Sequence, residues 1–310
     1  MLAAGAALAG FWGSHRGGGG GARAASEPSS SPWALQKIPG RAPRPVANGP
    51  LALAAGDPNR VVLVGARGRF LRSLSICRPD PGCGDLQSVA WSPDGRFLTY
   101  GTVTGPGGPW HPRDGLHLFD LARNRDWRAL PGGLTNWQDL AWSPDGKRLA
   151  YVAGASTFVL QAAHPDRVTE LRANATSPSW SPDGTLIAFD RFNGHKPVGI
   201  SVSRTGGTHA RRLTQLGAEP AWSPDGTRIA YTVSCGIRLM TPTGLDVTPN
   251  SVWKCSHIGV PGYPTWSPDG RWLAIGGAEA VFVLRPDGSG LTKIWNRGTL
   301  RPSWRAVRDG

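Results

Sequence analysis

Val89-Ala90-Trp91-Ser92-Pro93-Asp94-Gly95-Arg96-Phe97-Leu98-Thr99-Tyr100 reads as a strand, a tight turn and a second strand. Proline pre-sets φ for the first corner of a type I turn, aspartate is tolerated at the second, and glycine takes the left-handed position of a bulged hairpin. The same WSPDG string begins again at Trp142, Trp180, Trp222 and Trp266, and a shortened copy, Pro302-Ser303-Trp304, ends the series. Successive tryptophans are 51, 38, 42, 44 and 38 residues apart. A repeat of about 40–45 residues holding four short strands is the period of one propeller blade.

Every copy continues in the same way. Second strands follow at Phe97-Leu98-Thr99-Tyr100, Arg148-Leu149-Ala150-Tyr151, Leu186-Ile187-Ala188-Phe189, Arg228-Ile229-Ala230-Tyr231 and Trp272-Leu273-Ala274-Ile275. Alternating third strands, such as Gly115 to Phe119 and Val281 to Leu284, and fourth strands, such as Arg211 to Thr214, complete the unit. At the N-terminal end, Leu51 to Ala54, Val61 to Val64 and Phe70 to Leu74 supply strands two to four of a blade whose first strand is missing. Arg301 to Trp304 supplies it from the other end of the chain. The expected fold is all-β: a six-bladed β-propeller of four-stranded blades, its ring closed by a C-terminal strand that completes the N-terminal blade. Closure of this kind removes exposed sheet edges.

Repetition assigns the motif residues to the scaffold. Trp91, Trp142, Trp180, Trp222, Trp266 and Trp304 occupy the place from which a large aromatic packs one blade on the next. Asp94, Asp145, Asp183, Asp225 and Asp269, with Gly95, Gly146, Gly184, Gly226 and Gly270, belong to the turns.

This pattern resembles the TolB-like, WD-repeat-like six-bladed propellers, whose signature is a W-S-P-D-G turn followed by an I-A-F/Y strand. The resemblance covers residues 51–307 and is specific for fold. For function it implies a short menu: a protein-docking module of an envelope complex, the gating domain of a prolyl peptidase, or a lyase. No hydrolase domain accompanies the repeats, which disfavours the peptidase version.

Composition agrees with a turn-rich all-β chain. Glycine (43) and proline (28) make up nearly a quarter of the 310 residues, but 14 tryptophans and 39% hydrophobic content argue against disorder. The formal charge of +13 is mostly arginine and is spread without long runs. A polyanion partner and simple arginine-rich codon usage both account for it; the Lys/Arg stripe of a nucleic-acid reader is missing.

The N-terminus suggests export. Leu2 to Trp12 is apolar and Ala22-Arg23-Ala24-Ala25 resembles a small-residue cleavage site, but no basic stretch precedes it. It reads either as a truncated signal or as an Ala/Gly-rich tail, and it is too short to cross a bilayer. The expected division is 1–12 as a truncated signal peptide or such a tail, 13–50 as a flexible Gly/Ser/Pro-rich linker, and 51–310 as the propeller. Four cysteines, Cys77, Cys83, Cys235 and Cys255, suit two disulfides in an oxidising compartment, paired 77–83 and 235–255; free buried thiols are the alternative that an intracellular location would require. The expected location is secreted or in the cell envelope.

No catalytic template is present: no G-x-S-x-G elbow, H-E-x-x-H, Walker loop, dinucleotide fingerprint or EF-hand, and no histidine pair at a metal-binding interval. No cofactor, metal or catalytic residue is assigned. The long connections, those joining strands two to three and blade to blade, fall on one face of the ring. They carry Trp110, His111, Trp137, His195, Trp253, Lys254, His257 and Tyr263. Aromatic groups beside basic ones on long loops suit recognition of a protein or a cell-wall or envelope polymer, whereas each tryptophan could equally pin its own loop. The expected function is a non-enzymatic binding or scaffolding module, a monomeric ring. The alternative is a polysaccharide lyase or hydrolase with His111, His195 and His257 as acid–base groups in the central funnel.

Overall fold

The computed structural model of the protein describes residues 47–54, 60–76, 85–103, 115–131, 138–194, 196–234, 236–249, 261–277, 279–297 and 301–307. They form β-strands and turns. The chain opens with β1 (Ala47–Ala54), β2 (Arg60–Val64) and β3 (Phe70–Ser75). Next come β4 (Asp85–Trp91), β5 (Phe97–Val103), β6 (Gly115–Asp120) and β7 (Arg125–Pro131), then β8 (Gln138–Trp142), β9 (Arg148–Ala153), β10 (Ser156–Gln161) and β11 (His164–Ala173). β12 (Ala175–Trp180), β13 (Leu186–Asn193), β14 (Lys196–Arg204) and β15 (Arg211–Thr214) precede β16 (Ala218–Trp222), β17 (Ile229–Val233) and β18 (Gly236–Met240). The last are β19 (Pro261–Trp266), β20 (Leu273–Gly277), β21 (Val281–Leu284), β22 (Thr292–Trp295) and β23 (Ser303–Val307).

Hydrogen bonding sorts these strands into six antiparallel sheets, the blades of a propeller. Blade 1 has the order β23-β1-β2-β3; blades 2, 3, 4 and 6 are the runs β4 to β7, β8 to β11, β12 to β15 and β19 to β22. The ring closes as the sequence implies, with Trp304 opposite Leu51 and Ser303 opposite Ala52. β1 starts before the Leu51–Ala54 core of its pattern, because Ala47 and Asn48 also pair, with Val307 and Ala306.

Blade 5 differs from expectation. Its described residues form three strands, β16 to β18, and the returning chain makes one bridge, Asp246 to Met240. The reason lies in which groups serve β18. Val247 N–H donates to the Leu239 carbonyl, but the Leu239 N–H is taken by Thr248 Oγ1 at 2.9 Å, a hydroxyl standing where a backbone carbonyl would be. Thr248 Oγ1 also donates to the Leu239 carbonyl at 3.2 Å, so a side chain closes the edge that a regular fourth strand closes elsewhere.

The five turns are built identically. Each serine hydroxyl donates to the aspartate Oδ1 two residues on, at 2.5–2.6 Å. The same serine oxygen accepts, at 2.9 Å, the backbone N–H that opens the second strand. The aspartate also accepts a backbone N–H from two residues further, at 3.0 Å. Every glycine has φ between 67° and 73°, the left-handed region the turn demands. The aspartate therefore does more than tolerate its corner: it holds the turn shut.

The core lies between blades rather than within them. Six apolar clusters occur among the described residues, each joining two neighbouring blades and each touching one repeat tryptophan. The cluster joining Val281, Val283 and Ile294 of blade 6 to Leu51, Leu53, Val62 and Trp304 of blade 1 shows the seam packed like the other interfaces. Three indoles add a polar contact to the preceding blade: Trp180 Nε1 to the Ala141 carbonyl, Trp266 Nε1 to the Ala221 carbonyl, and Trp142 Nε1 to Thr99 Oγ1, at 2.8–3.0 Å. A buried aromatic with its N–H satisfied packs without a desolvation penalty.

Candidate functional site

The inner strand of each blade faces the axis, and the residue three before each tryptophan decides what the axis contains. Around the ring these residues are Ser88, Asp139, Ser177, Glu219, Tyr263 and Arg301. Asp139, Ser177, Glu219 and Tyr263 have φ between 49° and 56°, each at a register shift in its inner strand. A non-glycine residue in this region costs roughly 1–2 kcal/mol, and four successive blades accept that cost. The bulge aims one side chain per blade inward.

These side chains meet across the ring. Arg301 of blade 1 lies 3.9 Å from Asp139 of blade 3, passing over blade 2, and its guanidinium sits 5.7 Å from the ring centre of Tyr263 of blade 6. Asp139 Oδ2 accepts the backbone N–H of Ser177 at 3.1 Å and its hydroxyl at 3.3 Å. Glu219 Oε2 accepts the Tyr263 N–H and the Thr232 hydroxyl, both at 2.7 Å. Asp190, from the second strand of blade 4, accepts the Thr176 hydroxyl at 2.6 Å and the Glu219 N–H at 3.0 Å. Ser88 Oγ accepts the Leu140 N–H at 3.2 Å. The axial carboxylates thus stitch blades together by accepting backbone N–H groups that have no partner within their own sheet at the bulge.

Three carboxyl groups share this space with one guanidinium. Burial pushes the carboxyl of Asp190, which is 1% exposed, above the usual carboxylate range despite its hydrogen bonds, and the nearby Asp139 charge adds to the rise. Glu219 is raised for the same reasons: burial first, then repulsion from Asp190 and Asp139. Burial likewise raises the Tyr263 phenol, helped by the same carboxylates. Among the described residues, no group of three or more His, Cys, Asp or Glu side chains is placed to hold a metal ion.

Beside this ring lies a funnel of about 830 Å³. Its wall is contributed by all six blades. Pro178, Pro220, Pro264 and Pro302, with Val89 and Leu140, form one tier, and the turn prolines Pro93, Pro144, Pro182, Pro224 and Pro268 form another. Lys147, Asp145 and Asp183 add charge to the wall, and Arg301 is the residue of the axial ring that reaches it. The funnel opens among the WSPDG turns, whose prolines line it.

Of the loop candidates, only Tyr263 falls among the described residues, and it is not on a loop: it belongs to β19 and the axial ring. Trp110, His111, Trp137, His195, Trp253, Lys254 and His257 lie outside the described residues, as do Cys77, Cys83, Cys235 and Cys255. The axial set of Asp139, Ser177, Asp190, Glu219 and Arg301 escaped sequence reasoning. A signal existed for all of these but Asp190: a fixed offset of three from each tryptophan, followed by proline in four of the six copies.

No protein-family model and no curated protein sequence matches the chain. Solved structures do. A TolB from Acinetobacter baumannii superposes with a TM-score of 0.63 at 19% identity, over 84% of this chain and 67% of that one. A chain of a nidogen/laminin complex gives 0.66 at 11% identity, over 84% and 99%. A TolB-type structure from Agrobacterium tumefaciens gives 0.54 at 17% identity, over 82% and 92%. At these identities the likeness is one of fold: the chain shares the propeller architecture of these structures.

Proposed function

We propose that this protein is a non-enzymatic binding module, a rigid ring that presents its long-loop face to a protein partner in the secreted or envelope compartment. The supporting observation is the use to which the axis is put. Its ionisable groups are spent on hydrogen bonds that hold neighbouring blades in register, so the centre of the ring serves the scaffold and recognition falls to the loops it carries. The domain division into leader (1–12), linker (13–50) and propeller (51–310) belongs to this proposal, as do export and the pairings Cys77–Cys83 and Cys235–Cys255. One similar propeller comes from a nidogen/laminin complex, which favours a protein over an envelope polymer as the partner class.

The test is capture from envelope extract by the full chain beside a Trp110→Ala/Trp137→Ala/Trp253→Ala variant, with cross-linking and mass spectrometry. A partner retained by the wild type and lost by the variant is the expected result. Retention that survives all three substitutions would sink the assignment of the face.

A polysaccharide-cleaving enzyme is the second reading, and one observation favours it. Asp190 and Glu219 are held toward their neutral forms, a state that suits a general acid. Loss of glycan turnover in Glu219→Gln with an unchanged melting temperature would select this reading over the first.

A further inference from the structure

Arg301 is the exception among the ionisable groups of the axis. Asp139, Asp190 and Glu219 each accept a backbone N–H of a neighbouring blade. The buried Nη1 of Arg301 has no hydrogen-bond partner among the described residues. Asp139 Oδ1 stands 3.9 Å away, near enough to balance charge but too far for a hydrogen bond. Placement over the face of Tyr263 engages the flat side of the guanidinium and leaves its in-plane donors unspent. The side chain is 12% exposed and forms part of the funnel wall.

Inner strands rise about 3.3 Å per residue, so a group three before the tryptophan stands about 10 Å from it, away from the turns. Arg301 is therefore the floor of the funnel, and the turn prolines are its rim. Next to the floor comes an apolar tier of Val89, Leu140, Pro178, Pro220, Pro264 and Pro302. The tier above it is of small residues, where Ser179, Thr265 and Ser303 supply hydroxyls. Ser179 and Ser303 accept the Trp222 and Trp91 N–H groups at 3.0 and 3.1 Å, which fixes their oxygens in place. The volume, about 830 Å³, is that of a small-molecule site.

The charges at the two ends differ in weight. At the rim, exposed Lys147 stands with Asp145 and Asp183, where solvent screens all three. At the floor the guanidinium is buried and faces Asp139, while burial holds Asp190 and Glu219 toward their neutral forms. A carboxylate can accept two parallel N–H bonds from a guanidinium, donors that Asp139 leaves unused. A dianion is disfavoured, because it would meet the Asp139 charge with only one cation to offset both. The apolar tier calls for an organic body on the ligand.

We propose that the funnel binds a small organic monocarboxylate, with its carboxylate on Arg301 at the floor and its apolar body against the proline tier. The site is separate from the loop face, so the inference holds or fails independently of the function proposed above.

The probe is para-fluorobenzoate, titrated into the full chain and followed by fluorine NMR, with para-fluorobenzamide as its neutral counterpart. Saturable binding of the benzoate is expected, about tenfold or more tighter than that of the amide, as for hydrogen bonds to a charged group. Removing Arg301 alone would strand Asp139, so the site is tested in Arg301→Gln/Asp139→Asn. That pair should keep a melting temperature close to wild type and weaken benzoate binding by about tenfold. Lys147→Glu, at the rim, should change the affinity less than about threefold at about 0.15 M salt. No saturable binding, equal affinity for the amide, full affinity in the double variant, or a loss traced to Lys147 instead would each overturn the proposal. Displacement of the probe by equimolar inorganic phosphate would likewise overturn it, by making the floor a site for free anions.

Discussion

Two positions three residues apart on the inner strands follow opposite rules. From each tryptophan onward, five blades carry the same residues and form the same bonds: serine to aspartate, backbone N–H to serine, backbone N–H to aspartate. Three residues earlier the blades carry Ser88, Asp139, Ser177, Glu219, Tyr263 and Arg301, and their contacts differ in kind. The turn residues solve a problem that is the same in every blade, since a turn sees mainly its own two strands. The axial residues see one another across the ring, so identical side chains there would crowd like charge on like. Six glutamates at the axis could not all ionise, whereas a mixture with one arginine can be hydrogen-bonded through.

Replacing a repeated residue should therefore harm stability most. Trp266→Ala removes an indole that is 8% exposed and bonded to the Ala221 carbonyl. The expected cost is about 3–5 kcal/mol, read as a lowered denaturant midpoint. Tyr263→Phe, at the axial position of the same blade, leaves the ring in place and should move the midpoint by much less. Equal losses would erase the distinction between the two positions.

Turns that look identical in sequence differ where the seam touches one of them. A Cβ on Gly184 would find its nearest neighbour at 3.7 Å, whereas one on Gly95 would meet the Ala306 carbonyl at 2.5 Å. Both glycines have positive φ, so either alanine costs roughly 1–2 kcal/mol of backbone strain. Gly95→Ala should add about 1–3 kcal/mol for overpacking against the closing strand. A thermal melt in which the two variants coincide would mean that the seam yields freely.

The smallest effect, and the one that best separates the two regions, is the response to pH. Asp190 and Glu219 are raised by burial, so the folded state holds their protons after the unfolded chain has released them. Their contribution is full below the unfolded value near 4 and declines as pH rises through the folded values. The turn carboxylates Asp145, Asp183, Asp225 and Asp269 are lowered, since hydrogen bonds outweigh burial, and contribute in the opposite sense: fully above about pH 4, and lost as pH falls through their folded values. Asp190→Asn/Glu219→Gln should flatten the decline of melting temperature toward higher pH, and Asp183→Asn the decline toward acid. If the axial pair altered only the acid limb, the assignment of opposite signs would be wrong.

The parts of this protein that depend on nearest neighbours in the chain were legible. The spacing of the tryptophans counted the blades, the Ser-Pro-Asp-Gly strings placed the turns, and the strand missing at one end was found at the other. The fourth edge of blade 5 was not legible, because Thr248 replaces a backbone acceptor with a hydroxyl and a strand pattern does not record that exchange. Tyr263 reads as part of a loop because the connection before it is long, yet a bulge puts it on the axis.

By itself the sequence determined the repeat, the blade count and the closing strand, because turn chemistry and strand alternation act over a few residues and recur. Only the tertiary structure decided what the axis is. Asp139, Asp190, Glu219 and Arg301 lie far apart in sequence and mean little as isolated polar residues in strands. Ring closure brings them into one buried space, where desolvation and mutual repulsion, both set by distance through space, give them their character.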